Sequence, residues 1–137
     1  MNISHGMEKA AFLGKWILST GIILLCLSAF PTTTPAQPRY QTRCGWFSNP
    51  TPANAWLIDK DGEWIIGIQG GYQADGDWPR FSEKQWIETN VHYGYGCACI
   101  RATFNRRSGR VLQIRSGYAR PISACRKDPA LRRKEPK

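Results

Sequence analysis

Four of the five cysteines constrain this chain more than any other feature. Cys97 and Cys99 sit one residue apart in Tyr93-Gly94-Tyr95-Gly96-Cys97-Ala98-Cys99-Ile100, with Cys44 far upstream and Cys125 downstream. On an extended strand successive side chains alternate, so cysteines at i and i+2 point to one face. Their Cα atoms then lie about 6.6 Å apart, from a rise of about 3.3 Å per residue, with near-parallel Cβ directions. That geometry is poor for a disulfide, so the two are not expected to bond each other. Each reaches elsewhere, giving Cys44–Cys97 with Cys99–Cys125, which we prefer, or the crossed alternative. Either pairing ties one strand to both ends of the domain. A thiol-exchanging Cys-x-Cys would leave no spare pair to hold the fold. A four-thiolate zinc site needs a reducing compartment, and Cys44 lies far from knuckle spacing, so no metal and no cofactor is expected.

The compartment is readable from the N-terminus. Lys9 and Lys15 precede an apolar run over residues 16–30, followed by Pro31-Thr32-Thr33-Thr34-Pro35-Ala36. A basic start, an apolar core and a small-residue site at Thr34-x-Ala36 read as a signal peptide over residues 1–36, with Met7 an alternative start. The apolar run is shorter than the roughly 20 residues a spanning helix needs, which disfavours a retained anchor. No stable membrane span is expected after cleavage, and the mature protein is expected in the periplasm or outside the cell. Cys26 would leave with the signal peptide, and the remaining four cysteines, an even count in a short exported chain, imply two disulfides. In a core this small they matter, at typically about 2–4 kcal/mol each.

The 137 residues suit a single domain over residues 37–125, with a basic and mobile tail over 126–137. Charge is uneven along it. Residues 37–96 carry five basic and seven acidic side chains, whereas residues 97–137 carry twelve basic and two acidic. That asymmetry points to an anionic partner, an acidic glycan, lipid head group or protein of the envelope, with nucleic acid unfavoured outside the cytoplasm.

The patterning is that of strands. Trp56-Leu57-Ile58-Asp59-Lys60 and Glu63-Trp64-Ile65-Ile66-Gly67-Ile68-Gln69 flank Asp61-Gly62, a type I′ hairpin signal. A two-residue loop there pairs Lys60 with Glu63, Ile58 with Ile65 and Leu57 with Ile66. A second hairpin runs from Cys97 to Arg115. A three-residue loop, Arg107-Ser108-Gly109 with Gly109 left-handed, pairs Phe104 with Leu112 and Ala102 with Ile114. It sets Arg101 beside Arg115. Ser82 and Gln85 fit a capping box for one helical turn, ahead of a strand beginning near Trp86. The expected fold is therefore mostly β: a small, disulfide-stapled antiparallel hairpin sheet or partly open barrel, with at most one short helix.

Candidate binding residues are Arg101, Arg107, Arg110 and Arg115 of the second hairpin, with Tyr72 and Trp78 from the glycine-rich loop before it. Dense arginine can fork onto carboxylates or phosphates, although it also protects a sheet edge. Trp56 and Trp64 are expected in the core and Trp78 at the surface. Asp59-Lys60-Asp61-Gly62-Glu63 lacks the distal ligands of a calcium loop, and a turn explains it fully. No catalytic set assembles from sequence. His92 has no nucleophile elbow beside it, and Asp75, Asp77, Glu83 and Glu88 cannot be placed as a pair across a cleft.

Several stretches add a resemblance. Arg43-Cys44-Gly45-Trp46-Phe47-Ser48-Asn49-Pro50-Thr51-Pro52, Asp61-Gly62-Glu63-Trp64, Gln69-Gly70-Gly71-Tyr72-Gln73-Ala74, Thr89-Asn90, the Tyr93–Cys99 stretch and Cys125-Arg126 are similar to a bacterial family of exported domains of unknown function, number 4087. The resemblance covers about residues 43–131. It implies a small periplasmic or secreted bacterial protein with four cysteines, and brings no activity, substrate or catalytic residue. A non-catalytic binding or inhibitor domain is the leading expectation, and a small envelope enzyme acting by thiol-disulfide exchange or carboxylate-based hydrolysis is the alternative.

Overall fold

The alternating apolar pattern resolves into six strands in a computed structural model that describes residues 37–137. The signal-peptide expectation falls on residues 1–36 and lies outside the described residues. The strands are β1 (Gln41–Thr51), β2 (Asn54–Ile58), β3 (Glu63–Gly67), β4 (Trp86–Asn90), β5 (Tyr93–Asn105) and β6 (Arg110–Arg120). One short helix, α1 (Ile122–Lys127), and two 3₁₀ turns, Glu83–Gln85 and Arg132–Lys134, complete them. The mostly-β class with a single short helix is as expected.

The long β5 organises the sheet. One of its edges pairs with β1 over residues 94–102; the other pairs first with β4 and then with β6. The order β1-β2-β3-β6-β5-β4, with the extra β1–β5 pairing, makes the sheet curl back on itself. Closure between β3 and β6 rests on one parallel pair, Ile65 opposite Arg110, where Ile65 N–H donates to the Gly109 carbonyl at 2.8 Å. With so slender a closure this is one curled, mixed sheet and not a clear barrel.

Period-two alternation on β5 separates two cores. Ala98, Ile100 and Ala102 enter the cluster of Phe47, Ala55, Leu57, Trp64, Ile66, Val111 and Ile114. Tyr95 and Cys97 face the other way, joining Trp46, Cys125 and Leu131. The same alternation accounts for the paired Tyr-Gly dipeptides. A Cβ on Gly96 would sit 2.5 Å from the Phe81 ring, so only glycine lets that ring close onto β5 while Tyr95 fills the opposite core.

Cys97 and Cys99 are on one face of β5, but the preferred pairing was wrong. The disulfides are Cys44–Cys99 and Cys97–Cys125, the crossed alternative. Register decides it. Cys44 lies directly opposite Cys99 in the β1–β5 ladder, with Cα atoms 4.0 Å apart, whereas Cys97 faces Trp46. Cys97 is left to reach Cys125 on α1, at a Cα separation of 5.8 Å.

Both hairpin registers also differ from expectation, for one shared reason. In the first, Ile58 pairs with Glu63, Leu57 with Trp64 and Trp56 with Ile65. Asp59 leaves the ladder and winds a longer turn around its buried carboxylate, which accepts from Asp61 N–H at 2.7 Å and Gly62 N–H at 3.0 Å. In the second, Asn105 does the same work, its carboxamide oxygen accepting from Arg107 and Ser108 N–H at 3.0 and 3.2 Å. Phe104 therefore pairs with Val111 instead of Leu112. A bulge then restores the expected Ala102–Ile114 pair, and a second irregularity sets Arg101 opposite Ser116 instead of Arg115. Gly109 is left-handed as expected, at φ 65°. These are Asx turns, in which a short side chain satisfies the backbone that a two-residue loop would have paired.

The segment expected to be a mobile tail docks against the second core. Leu131 is 4% exposed, and its carbonyl accepts from Trp46 Nε1 at 2.9 Å. Lys134 Nζ donates to the carbonyls of Asp59 and Lys60 at 2.8 and 3.0 Å, and Arg126 pairs with Glu135 at 2.7 Å. Composition hid this because one leucine and a few backbone acceptors do the docking, with no periodic apolar run.

Candidate functional site

Two of the described regions are candidates for a site: a charge cluster at Arg43 and an open groove at Trp78. The first was not anticipated. Arg43 leaves β1 toward the main core, where its guanidinium lies 4.4 Å from the Trp64 ring centroid and 4.9 Å from that of Phe104. Its Nη1 meets Asp59 Oδ2 at 2.6 Å and Asp61 Oδ2 at 2.8 Å. The Arg43 and Asp59 side chains are only 9% and 3% exposed. Burial works against the Arg43 charge, but hydrogen bonds and charges from both aspartates outweigh it and raise its pKa. Lys60 and then Arg43 hold the Asp61 carboxyl down at about 2 by hydrogen bonding. Arg43 Nε and Trp64 Nε1 are buried without a hydrogen-bond partner. The cluster pairs its own charges and links β1 to the turn between β2 and β3.

The groove is different in kind. Gly76, Asp77, Trp78, Arg80, Gln85 and the outer part of β6 from Ile114 to Ala119 line a depression of about 630 Å³. Trp78 arrives on the glycine-rich loop, which is pinned to β6 by Asp75 N–H donating to the Leu112 carbonyl and Ile114 N–H donating to that of Asp75. Gly117 admits the loop, since a Cβ there would meet Pro79 Cγ at 2.9 Å. Arg80, Arg115 and Ser116 are exposed along the groove, and Tyr118 is 57% exposed. Arg115 lies over the Tyr40 ring at 5.5 Å.

The six expected binding residues are thus divided. Trp78 and Arg115 meet in the groove, with Trp78 half-buried against Phe47 at a ring separation of 5.7 Å instead of fully at the surface. Arg101 is exposed on β5, and Arg107 stands at the tip of the second hairpin. Arg110 and Tyr72 form a structural pair. The Arg110 guanidinium lies 4.5 Å from the Tyr72 ring, and Tyr72 donates its hydroxyl hydrogen to the Val111 carbonyl at 2.6 Å. Burial, more than the neighbouring charges, raises the Tyr72 pKa. Trp64 is in the core as expected; Trp56 is half-buried on the other face of its strand. Arg80 and Ser116 were missed, because nothing local marks Arg80 as a neighbour of β6; Tyr118, which with the other tyrosines and the tryptophans could serve as a stacking platform for sugar rings, does line the groove. All four described cysteines are oxidised in pairs. Among the described residues no three His, Cys, Asp or Glu side chains converge as a metal site.

Fold and site together define a small, doubly disulfide-linked, mostly-β domain with a basic, aromatic-edged groove. The family described as Protein of unknown function (DUF4087) matches residues 38–132, and the chain belongs to it. No curated protein and no solved structure matches the chain.

Proposed function

We propose that this chain is an exported, non-catalytic binding or inhibitor domain whose ligand is anionic, an acidic glycan first, with a lipid head group or a partner protein as the alternatives. The observation that carries the reading is the groove itself, which Trp78 and Tyr118 line together with Arg80 and Arg115. Ring faces stack on sugars, and planar guanidinium groups fork onto carboxylate or sulfate. The net charge of +9 would speed the approach of any anion. Export is supported by the N-terminal pattern and by two disulfides, which are consistent with an oxidising compartment.

Titration with uronic-acid or sulfated oligosaccharides tests this directly. Affinity should fall steeply between low salt and about 0.5 M salt, where the Debye length has shrunk to a few ångströms. Arg80→Ala and Arg115→Ala should each weaken it several-fold, and Trp78→Ala should weaken it without changing the salt slope. Binding that ignores salt and both arginines would sink the proposal. The carboxylate-hydrolase alternative draws on Glu83 and Glu88, which line one cleft on the far side of Trp78. Both are exposed, so neither has the desolvated setting on which a general acid draws.

A further inference from the structure

Behind Trp78 lies a second opening that the anion-binding reading does not use. Phe47, Trp78, Phe81 and Trp86 form one aromatic cluster, with ring centroids 4.9 Å apart for Phe81 and Trp86 and 5.6 Å apart for Phe47 and Phe81. Phe47 is buried as the floor, while Trp78, Phe81 and Trp86 are half-buried and reach the surface. They line a cleft of about 360 Å³ that also includes Glu83 and Glu88. The two glutamates flank Trp86 again in an adjoining hollow of about 450 Å³.

The cleft is well supported. Ser82 N–H and Oγ both donate to Gln85 Oε1, fixing the turn that carries Glu83. Trp86 pairs with Gly96 in the β4–β5 ladder, and its Nε1 donates to the His92 carbonyl at 3.2 Å. Neither Glu83 nor Glu88 has a salt-bridge partner among the described residues. Lys84 and Arg80, the nearest basic residues in the chain, line neither opening.

The same molecule shows what such a set of groups holds. At its other aromatic cluster, Trp64 and Phe104 with Asp59 and Asp61 surround the Arg43 cation. At Trp86 the rings and the two carboxylates recur, and no described side chain supplies the cation. Aromatic faces attract ammonium groups through the ring quadrupole, most strongly for tryptophan, and nearby carboxylates add to that attraction. The protein as a whole is strongly positive, so attraction for a cation has to be local.

We propose that this cleft binds a small organic ammonium ion, of the quaternary or alkyl-ammonium class, with its head group against Trp86 and its charge between Glu83 and Glu88. This site is separate from the arginine-lined groove, shares only Trp78 with its walls, and stands whether or not an anion binds there.

Choline chloride titrated into the oxidised protein, followed by tryptophan fluorescence and the indole N–H resonance of Trp86, is the test. A saturable shift is expected. The neutral isostere 3,3-dimethylbutan-1-ol should bind at least about fivefold more weakly, the factor that roughly 1 kcal/mol of cation–π attraction gives. The double variant Glu83→Gln with Glu88→Gln alters exposed positions and should keep the wild-type melting temperature while weakening choline at least about threefold. No saturable shift with choline, equal affinity for the neutral isostere, or undiminished choline binding by the double variant would each overturn the proposal. Loss of oligosaccharide binding in Arg115→Ala with choline binding retained separates this site from the groove.

Discussion

Around Trp64 the chain sets an aromatic pair, the buried Asp59 and the exposed Asp61 about its own arginine. Around Trp86 it sets aromatic rings beside two glutamates at the surface, and no described residue supplies the positive charge. Solvent makes the difference. Arg43 and Asp59 are almost entirely removed from water, so each needs the other to offset its lost hydration. Glu83 and Glu88 remain hydrated and cost the fold nothing. One cluster is committed to linking β1 to the turn between β2 and β3, and the other is available for binding.

That contrast is best attacked at Arg43. Replacing Arg43 with Met leaves the buried Asp59 carboxylate without its counter-charge and should destabilise the protein by about 3–5 kcal/mol in urea unfolding. Adding Asp59→Asn should recover part of the loss, since an Asn oxygen can still accept the two turn N–H groups. Acid should act on the same end. The Asp61 carboxyl is depressed from 3.8 to about 2, so the stability it contributes is fully present above 3.8 and is lost as pH falls through about 2. An NMR titration of Asp61 beside unfolding curves in that window checks the sign. An Asp61 that titrates near 4 would mean that the closed cluster is looser than described.

A smaller loss is expected from the docked C-terminal segment. Leu131→Ala should cost about 2–3 kcal/mol, because it empties a buried site beneath Trp46. Protection of the Asp59 turn from hydrogen exchange should fall with it, since Lys134 of the same segment caps that turn. The Trp86 side should not respond. There, at the β4–β5 turn, Val91 is 72% exposed at φ 56°, a left-handed conformation that a β-branched residue resists. Val91→Gly should therefore stabilise the protein by about 1 kcal/mol in thermal unfolding. The smallest effect belongs to Glu83→Gln with Glu88→Gln, which should change stability by less than about 0.5 kcal/mol. A large loss in that variant would show the cleft to be structural after all and erase the contrast with Arg43.

Much of the fold was legible where the controlling physics is local. Alternation placed Ala98, Ile100 and Ala102 on one face of β5 and the cysteines on the other, and Gly109 identified its turn. Ser82 and Gln85 did form the expected turn before β4. The errors began where one side chain changed a count. Asp59 and Asn105 each lengthened a turn and shifted the pairing beyond it, a signal present in the sequence but outweighed by Asp-Gly and Ser-Gly. In the candidate site, Trp78, Arg115 and the ring of Tyr118 were legible in the sequence, whereas Arg80 was not.

By itself, then, the sequence determined the class of fold, the two-disulfide architecture and the common face of Cys97 and Cys99, because strand periodicity and cysteine parity are properties of neighbouring residues. Only the tertiary structure decided which cysteines bond, that Arg43 rather than a hairpin arginine anchors the buried charges, and that the basic tail docks. Those outcomes depend on the β1–β5 register and on contacts between residues as distant as Trp46 and Leu131. Such contacts are selected by the combined burial and hydrogen bonding of the whole sheet, which no short stretch of chain encodes.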